Sequence, residues 1–215
     1  MRTTAMLLTA VFLLGGVPGQ TAIAQEPPGA KELAPGVLLV ASRELRDPNF
    51  RDSVVLLIHY DRSGAMGLII NRPVKLRLEE LLEELPEARG MKDPAYEGGP
   101  VTPQGVWALF RSTAKPPKTV EVMPGVFLIS SERPMVEALK AGANANTFRI
   151  FVGYSGWGAG QLEREVDIGA WHIFRADADT VFSADPSTVW RKLIRRTEFR
   201  IALRHDYRFV PLLKP

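Results

Sequence analysis

Residues 152–165 read VGYSGWGAGQLERE, in which four glycines at spacings of two or three residues come before a run of helix-forming composition. Glycine-rich turns of this kind cradle phosphates, hold nucleophiles, or turn the chain where a side chain would clash. The preceding segment, FRIFVGY at 148–154, has the apolar composition of a buried strand, and Gly169 is placed to end a helix over residues 161–168. The stretch therefore predicts a strand that leads through a glycine turn into a helix.

The glycines do not complete a known nucleotide-binding or nucleophile motif. A dinucleotide fingerprint requires G-x-G-x-x-G, and Gln161 stands where the third glycine belongs. A Walker loop requires a Gly-Lys-Ser/Thr ending that does not follow here, and the G-x-S-x-G elbow fails because Gly156 comes directly after Ser155. We therefore expect the glycines to permit positive φ angles and close backbone approach, with Trp157 packed beside them.

The N-terminus has the features of a secretory signal peptide. Arg2 precedes an apolar stretch from Ala5 to Val17, and residues 22–24 form an A-x-A cleavage site. A retained membrane anchor is the alternative, but a spanning helix needs about 20 apolar residues, and this run is shorter and is followed by helix breakers. We expect residues 1–24 to be a cleaved signal peptide, residues 25–35 to be a flexible lead, and the mature chain to be periplasmic or secreted without a transmembrane segment.

Composition limits the chemistry of the mature chain. The sequence contains no cysteine, which excludes disulfides, thiolate catalysis, iron–sulfur clusters and lipid attachment at a cysteine. The formal net charge of +3, to which Arg2 contributes one unit, is too small for a strong field toward nucleic acid or anionic lipid. With 46% apolar residues, the chain is expected to form one domain over residues 36–215.

Apolar, β-branched runs predict the strands of this domain. They lie at residues 37–41, 53–60, 65–70, 106–110, 126–130 and 148–154. The second and third runs are joined by a hairpin turn at residues 61–64, whereas the segment between the fourth and fifth is predicted to be a proline-rich loop. The runs lack polar alternation, so the strands are expected to be covered on both faces.

Helices are predicted between these strands. Leucines at intervals of three and four residues predict an amphipathic helix over residues 78–85 that ends at Pro86. Ser131 is placed to cap a second helix that ends at Gly142, and Asp185 precedes a helix in STVWRKLIRR. The mixture of elements predicts one α+β domain with a mostly antiparallel sheet.

Several ungapped words of the sequence are shared with a known family. The most distinctive is GYSGWGAGQLERE at 153–165, followed by GAW at 169–171. The other words, in family order, are LLVASRELRDPNF at 38–50, GAMGLIINRP at 64–73, YEGGPV at 96–101, PGV at 124–126 and Ala176-Asp177. From about residue 36 to Trp190 the chain resembles the YqgE/AlgH family of uncharacterised bacterial proteins.

The resemblance implies an α+β domain whose mostly antiparallel sheet bends into a partly closed, barrel-like core with flanking helices. The family has no agreed catalytic activity or cofactor, and its association with transcriptional regulation of alginate is indirect. Its members usually begin at the domain and are cytoplasmic, so a leader before the domain argues against a transcriptional role here. The sequence also departs from the family at Ser155, where alanine is more usual, and after Trp190, where the chain becomes basic.

Nine residues in or beside the shared words are candidates for ligand binding: Asp47, Asn49, Asn71, Arg72, Glu97, Tyr154, Trp157, Gln161 and Glu163. Arg72 has the geometry to grip a carboxylate or phosphate bidentately, although an internal pair with a glutamate or a carbonyl oxygen is the favoured alternative. Asp47 and Asn49 belong to a turn-forming word, for which a structural role is likewise favoured. No catalytic residue is assigned.

No cofactor and no metal site are expected. His59, His172 and His205 lack the spacing of helical metal motifs, and a site assembled from distant residues is the less favoured alternative.

The C-terminal tail, residues 191–208, interleaves seven basic residues with apolar and aromatic ones. Two interpretations remain open. An edge strand over EFRIALRHDYRFV, residues 198–210, with arginines on its exposed face is favoured, because charged edges prevent unwanted strand pairing. The alternative is a surface for anionic polymers or membranes.

We therefore expect an exported, non-enzymatic binding or interaction module of the cell envelope, whose partner is an envelope protein or a small ligand. Export argues against nucleic acid, and the sequence assigns no oligomeric state. The alternatives are a hydrolase acting on an envelope substrate and an anionic-polymer binder that uses the tail. A hydrolase requires the polar candidates to converge in a concave pocket, whereas a binding module is compatible with polar side chains bonded to backbone.

Overall fold

The computed structural model describes residues 30–207. The strands in this range are β1 Val37–Ala41, β2 Val54–Asp61, β3 Gly64–Ile69, β4 Pro73–Arg77, β5 Pro94–Glu97, β6 Val101–Arg111, β7 Val120–Met123, β8 Val126–Ile129, β9 Phe148–Gly158 and β10 Trp171–Arg175. The α-helices are α1 Leu78–Leu81, α2 Glu132–Lys140, α3 Gln161–Asp167, α4 Ala178–Val181 and α5 Val189–Tyr207. Short 3-10 turns occur at Ala30–Glu32, Pro86–Ala88 and Pro186–Thr188.

The strands form one sheet in the order β10-β1-β2-β3-β9-β6-β8-β7, in which the neighbours are antiparallel. β4 and β5 form a side branch, and β5 pairs parallel with β9. The sheet curls so that β7 approaches the start of β1: a Cβ atom on Gly36 would lie 2.8 Å from the carbonyl oxygen of Val122. The predicted α+β fold, with a mostly antiparallel, partly closed sheet and flanking helices, is confirmed.

Apolar clusters cover both faces of the sheet. Alternate residues of β2 enter different clusters, since Leu56 packs in the cluster that contains Leu193 of α5, whereas Leu57 packs in the cluster that contains Trp157. A third cluster contains Met135 of α2 together with residues of β6, β8 and β9. β2 is therefore buried on both faces, as its lack of polar alternation predicts.

β9 is the strand on which the sheet is assembled, because it pairs with β3, β5 and β6. Where β5 passes into β6, the chain lies directly on β9. A Cβ atom on Gly99 would lie 2.4 Å from the carbonyl carbon of Tyr154, and one on Gly153 would lie 2.4 Å from the carbonyl oxygen of Gly99. The hydroxyl of Ser155 donates to the carbonyl oxygen of Gly98 at 3.0 Å in the same contact. Only glycine leaves room for this approach.

A buried arginine also holds β9 to its surroundings. Arg149 is 4% exposed, and its guanidinium donates to the carbonyl oxygens of Ile70, at 3.3 Å, and of Ser183. The same group lies 4.6 Å from the ring centroid of Tyr96. Among the side chains that the structure describes, Arg149 forms no ion pair. Burial lowers the pKa of the Arg149 guanidinium, so carbonyl dipoles and an aromatic face provide its stabilisation.

The strand predictions are confirmed for β1, β2, β3 and their hairpin, and they miss β4, β5 and β7. β7 lies inside the segment predicted to be a proline-rich loop. The interpretation of the glycine-rich stretch as a loop is wrong in part, because β9 continues through Gly158 and only residues 159–160 separate it from α3. These glycines mark close contacts along a strand rather than its end.

The predicted helix over residues 78–85 is wrong in extent, since α1 ends at Leu81. Leu82 and Leu85 lie in an irregular segment, yet both pack against the third apolar cluster. The leucines are therefore packed against the core at their three- and four-residue intervals although the helix does not continue past Leu81. The helices predicted from Ser131 and over residues 161–168 are confirmed by α2 and α3.

The edge strand predicted over residues 198–210 is wrong as far as the structure describes the tail, because α5 continues through residues 198–207. Leu193 and Ile194, in the part predicted to be helical, are buried on the inner face of the same helix. Within residues 30–207 no helix is long and apolar enough to cross a membrane.

At the other end of the described range, Leu33 is 6% exposed and packs with the second cluster. Of residues 30–35, expected to belong to a flexible lead, Leu33 and the partly buried Ala30 thus pack against the core, and the others are exposed. The predicted signal peptide, residues 1–24, lies outside the described residues, as do residues 208–215 at the end of the basic tail.

We expect Gly99→Ala to lower the free energy of unfolding by about 3 kcal/mol, because the added methyl group meets fixed backbone of β9 in a conformation with positive φ. Urea denaturation followed by tryptophan fluorescence measures the change. Gly90→Ala is the matched control: Gly90 has a φ of +82°, but a Cβ atom there meets nothing within 4 Å, so we expect a loss of only about 1 kcal/mol. Equal losses for the two variants would contradict the close-approach explanation.

Candidate functional site

Four of the nine candidate residues hold the loop after β1 against the ends of β3 and β5. The carboxylate of Asp47 accepts the N–H of Asn49 at 2.8 Å. Arg72 donates through Nη1 to the carbonyl oxygen of Asn49 at 2.6 Å and through Nη2 to that of Arg51 at 2.8 Å. Glu97 lies 3.7 Å from Nη1 of the same arginine. The guanidinium of Arg72 is thus engaged internally with carbonyl oxygens and a glutamate.

Asn71 joins the same loop to β2 from inside. Its side chain is nearly buried, accepts the N–H of Val54 at 2.8 Å and donates to the carbonyl oxygen of Asp52 at 2.9 Å. These bonds satisfy two backbone groups at the start of a central strand, so the amide of Asn71 is structural.

A second set of candidates surrounds a carboxylate that accepts two indole N–H groups. Oε2 of Glu165 accepts Nε1–H of Trp157 at 2.9 Å and Nε1–H of Trp171 at 2.8 Å. Oε1 of the same residue accepts the side-chain amide of Gln161 at 2.9 Å. Because buried indoles need an acceptor, Glu165 fixes both rings against α3.

Two further bonds attach α3 to the sheet. The side-chain oxygen of Gln161 accepts the N–H of Gly158 at 3.1 Å, which bridges the end of β9 to the first turn of the helix. Glu163 accepts the hydroxyl of Tyr60 at 2.7 Å. This hydrogen bond raises the pKa of Tyr60 above its usual range, and partial burial adds to the effect.

Phe50 brings the two sets together. Its ring stacks on Trp157 at 5.7 Å and meets Trp171 edge-on at 5.6 Å, and the two indoles meet edge-on at 6.0 Å. The loop held by Arg72 therefore ends on the rings held by Glu165. The shared sequence words converge in space, and most of their polar side chains bond to backbone or to buried rings.

An open groove of about 410 Å³ lies beside this cluster, over the β2–β3 hairpin and β9. We call it the hairpin groove; its lining residues are His59, Ser63, Gly64, Ala65, Met66, Val101, Tyr154, Gly156 and Trp157. The ring of Tyr154 meets Trp107 edge-on at 6.0 Å, and Tyr154, Trp107 and Met66 all pack against the first apolar cluster. Met66 and Tyr154 form the apolar floor of the hairpin groove, and the core supports this floor from below.

The polar rim of the hairpin groove is formed by the turn between β2 and β3. Nε2 of His59 lies 3.0 Å from Oδ2 of Asp61, and Oδ1 of Asp61 accepts both the N–H and the hydroxyl of Ser63. The bonds from Ser63 lower the pKa of Asp61, with a smaller contribution from His59. The rim thus presents a carboxylate and an imidazole that are both largely exposed.

The remaining polar groups do not form a recognisable catalytic set. Ser155 is fully buried and donates to a carbonyl oxygen, so its hydroxyl is not presented to solvent as a nucleophile. His172 is half-buried in β10, where burial lowers its pKa, while the side chain of His205 lies outside those described. Among the described residues, no group of three or more histidine, cysteine, aspartate or glutamate side chains is arranged to hold a metal ion.

Sequence reasoning missed three residues that matter here: Glu165, Met66 and Trp107. Glu165 follows Gln161 by four residues on a predicted helix, a spacing that places the two side chains together, and this signal was available. No sequence signal identifies Met66 as a groove residue or Trp107 as the ring that supports Tyr154, because both belong to strands predicted to be buried.

We expect Glu165→Gln to lower the free energy of unfolding by about 2 kcal/mol, because an amide has one acceptor oxygen for three donors. Chemical denaturation followed by near-ultraviolet circular dichroism reports both the stability and the packing of the indoles. Glu163→Gln is the matched control: the amide oxygen still accepts the single hydroxyl of Tyr60, so we expect less than about 1 kcal/mol. A similar loss in both variants would show that charge, not the indole bonds, is responsible.

A family model and curated relatives from the same family match most of this chain. The AlgH-like family model, DUF179, matches residues 38–202, which extends past Trp190, where we expected the resemblance to end. A UPF0301 protein of Myxococcus xanthus is 42% identical over 168 residues, covering 77% of this chain and 91% of the relative. A UPF0301 protein of Chlorobaculum tepidum is 34% identical over 164 residues, covering 76% of this chain and 86% of the relative.

Two solved structures share the fold. The solution structure of the AlgH protein from Pseudomonas aeruginosa has a TM-score of 0.61 and 30% identity, covering 82% of this chain and 91% of that one. The crystal structure of protein DIP2367 from Corynebacterium diphtheriae has a TM-score of 0.67 at 22% identity, covering 80% of this chain and 90% of that one, and supports the fold alone. By its family model and its relatives, the chain belongs to the AlgH-like, UPF0301 family of uncharacterised proteins.

Proposed function

We propose that the protein is an exported, non-enzymatic binding module of the cell envelope, and that its hairpin groove holds an apolar or aromatic side chain of a partner protein. The observation that carries the proposal is an open, aromatic groove whose floor rests on the core. Tyr154, Trp157 and Met66, which line the groove, belong to residue types that are enriched at protein interfaces. A floor that is already packed loses little conformational entropy on binding.

The glycines of the shared stretch support this use of the groove. A Cβ atom on Gly156 would lie 3.1 Å from the ring of Tyr154, so glycine leaves space for that ring over β9. The polar rim at His59 and Asp61 is largely exposed and is suited to hydrogen bonds with the backbone of a bound segment.

The state of the other polar candidates favours binding over catalysis. Arg72 and Asn71 bond to backbone oxygen and nitrogen atoms, and Glu163 and Glu165 bond to aromatic side chains. A catalytic set requires a nucleophile or base that faces a substrate within hydrogen-bond reach, and these side chains are committed to the scaffold.

Export rests on the sequence of residues 1–24, with its apolar stretch and A-x-A site. The partner is therefore sought among envelope proteins.

A photo-crosslinking amino acid in place of His59, at the rim of the hairpin groove, tests the binding proposal in cells that export the protein. We expect one specific crosslinked protein, because the groove is open beside this exposed position. Lys115, which is exposed in the loop between β6 and β7, is the control position. We expect the same crosslink to be reduced about tenfold by Tyr154→Gln, which removes the aromatic floor.

Urea denaturation of Tyr154→Gln separates loss of binding from loss of folding. A crosslink that is equally strong from Lys115, or that persists in a folded Tyr154→Gln variant, would contradict binding through the hairpin groove.

Export has its own test. We expect the protein recovered from the periplasm of a Gram-negative host to begin at Gln25, and Ala24→Asp to accumulate the uncleaved precursor, because signal cleavage requires small residues at the A-x-A site. N-terminal sequencing of each cell fraction measures the outcome. Recovery of the full chain from the cytoplasm would contradict export and would leave the groove itself to be tested with cytoplasmic partners.

A further inference from the structure

A second groove, of about 490 Å³, lies between the irregular segment after α1 and the start of α2. Its apolar lining residues are Leu81, Leu82, Leu85, Val106 and Met135. Its polar lining residues are Glu83, Glu84, Ser130, Ser131 and Glu132. We call it the acidic groove, since each of its charged lining residues is a glutamate.

The carboxylates of the acidic groove are free to meet an external cation. Glu83, Glu84 and Glu132 are exposed, and none of them forms an ion pair within the described part of the chain. Arg133, the next residue of α2, is exposed but does not line the groove. An apolar floor inside a rim of unpaired carboxylates is suited to a segment that is both basic and rich in methylene or apolar groups.

The same chain carries such a segment on α5. This helix buries Leu193 and Ile194 against the sheet, and it exposes Arg191, Lys192 and Arg195 on its outer side. None of these three cations forms an ion pair among the side chains that the structure describes, although Glu198 interacts electrostatically with Arg195. This face of α5 therefore carries three cations and one carboxylate, and it is basic in balance.

We propose that the acidic groove of one copy of the protein binds the basic face of α5 of a second copy. The aliphatic stems of Arg191, Lys192 and Arg195 cover the leucine floor while their charged ends reach the glutamates.

Charge complementarity is the reason that the second copy is the occupant. The chain has a small net charge of +3, yet the three groove glutamates and the three α5 cations lie on separate elements and form no ion pairs among the side chains that the structure describes. Because each copy carries both surfaces, a reciprocal exchange closes a two-fold symmetric dimer that neutralises both. No residue of the hairpin groove or its rim takes part in this dimer. The two proposals can therefore be tested separately.

Charge reversal of the two surfaces tests the proposal on the mature chain. We expect wild type to dimerise, and Glu83→Lys with Glu84→Lys to raise the dimer dissociation constant about tenfold or more in sedimentation velocity, because attraction becomes repulsion. Arg191→Glu with Lys192→Glu is expected to do the same. Arg62→Glu with Lys115→Glu, which reverses two exposed charges elsewhere, is the matched control and is expected to leave dimerisation unchanged.

Mixing the two charge-reversed proteins distinguishes the proposed contact from misfolding. The acidic face of α5 in one variant fits the basic groove of the other, and the two unmodified surfaces also fit, so we expect heterodimers from two proteins that are monomeric alone. Raising the salt concentration is expected to weaken the wild-type dimer.

A monomeric wild-type protein at high micromolar concentration would overturn the proposal. So would dimers that survive either charge reversal, or variants that fail to associate when mixed while remaining folded by circular dichroism.

Discussion

The fold depends on how closely the chain between β5 and β6 approaches the backbone of β9. At Gly99 and Gly153 the two backbones leave no room for a Cβ atom, and the hydroxyl of Ser155 bonds across the contact. This approach lets β9 pair with strands from three parts of the sequence. Without it, the side branch of β4 and β5 would separate from the main sheet, and Arg149 would lose the ring of Tyr96 against which it is buried.

The most distinctive stretch of the sequence is explained by this scaffold. Its glycines permit the approach to β9 and leave space for the ring of Tyr154, while Trp157 is held by the carboxylate of Glu165. A carboxylate shared by two indoles is costly to replace, because removal of the acceptor leaves two buried donors unsatisfied. The residues that identify the family are thus mainly those that build the domain, and the hairpin groove is a surface that this construction leaves open.

Local patterns were sufficient to predict part of this structure. The apolar runs of β1, β2 and β3 and the turn between them were found because such runs report burial directly. β4, β5 and β7 were missed because they are short and contain or adjoin prolines, and their pairing is set by distant strands. The strand prediction for the tail is wrong because alternating arginines fit a strand and a helix equally, and residues 198–207 continue the helix that begins at Val189. The hairpin groove is harder to predict, since Met66 and Tyr154 line it together only because β3 pairs with β9, which is distant in the sequence.

The pairing of β1 with β10 affects when the chain can complete its folding. The first strand of the domain is completed by one of its last, with Val37 opposite Arg175 and Ala41 opposite Trp171. Contacts between such distant segments make folding slow, because the loop between them must close before they form. Most of the polypeptide must emerge from the ribosome before β10 is available to pair with β1. On the proposal of export, this delay would keep the precursor unfolded long enough to enter a secretion channel.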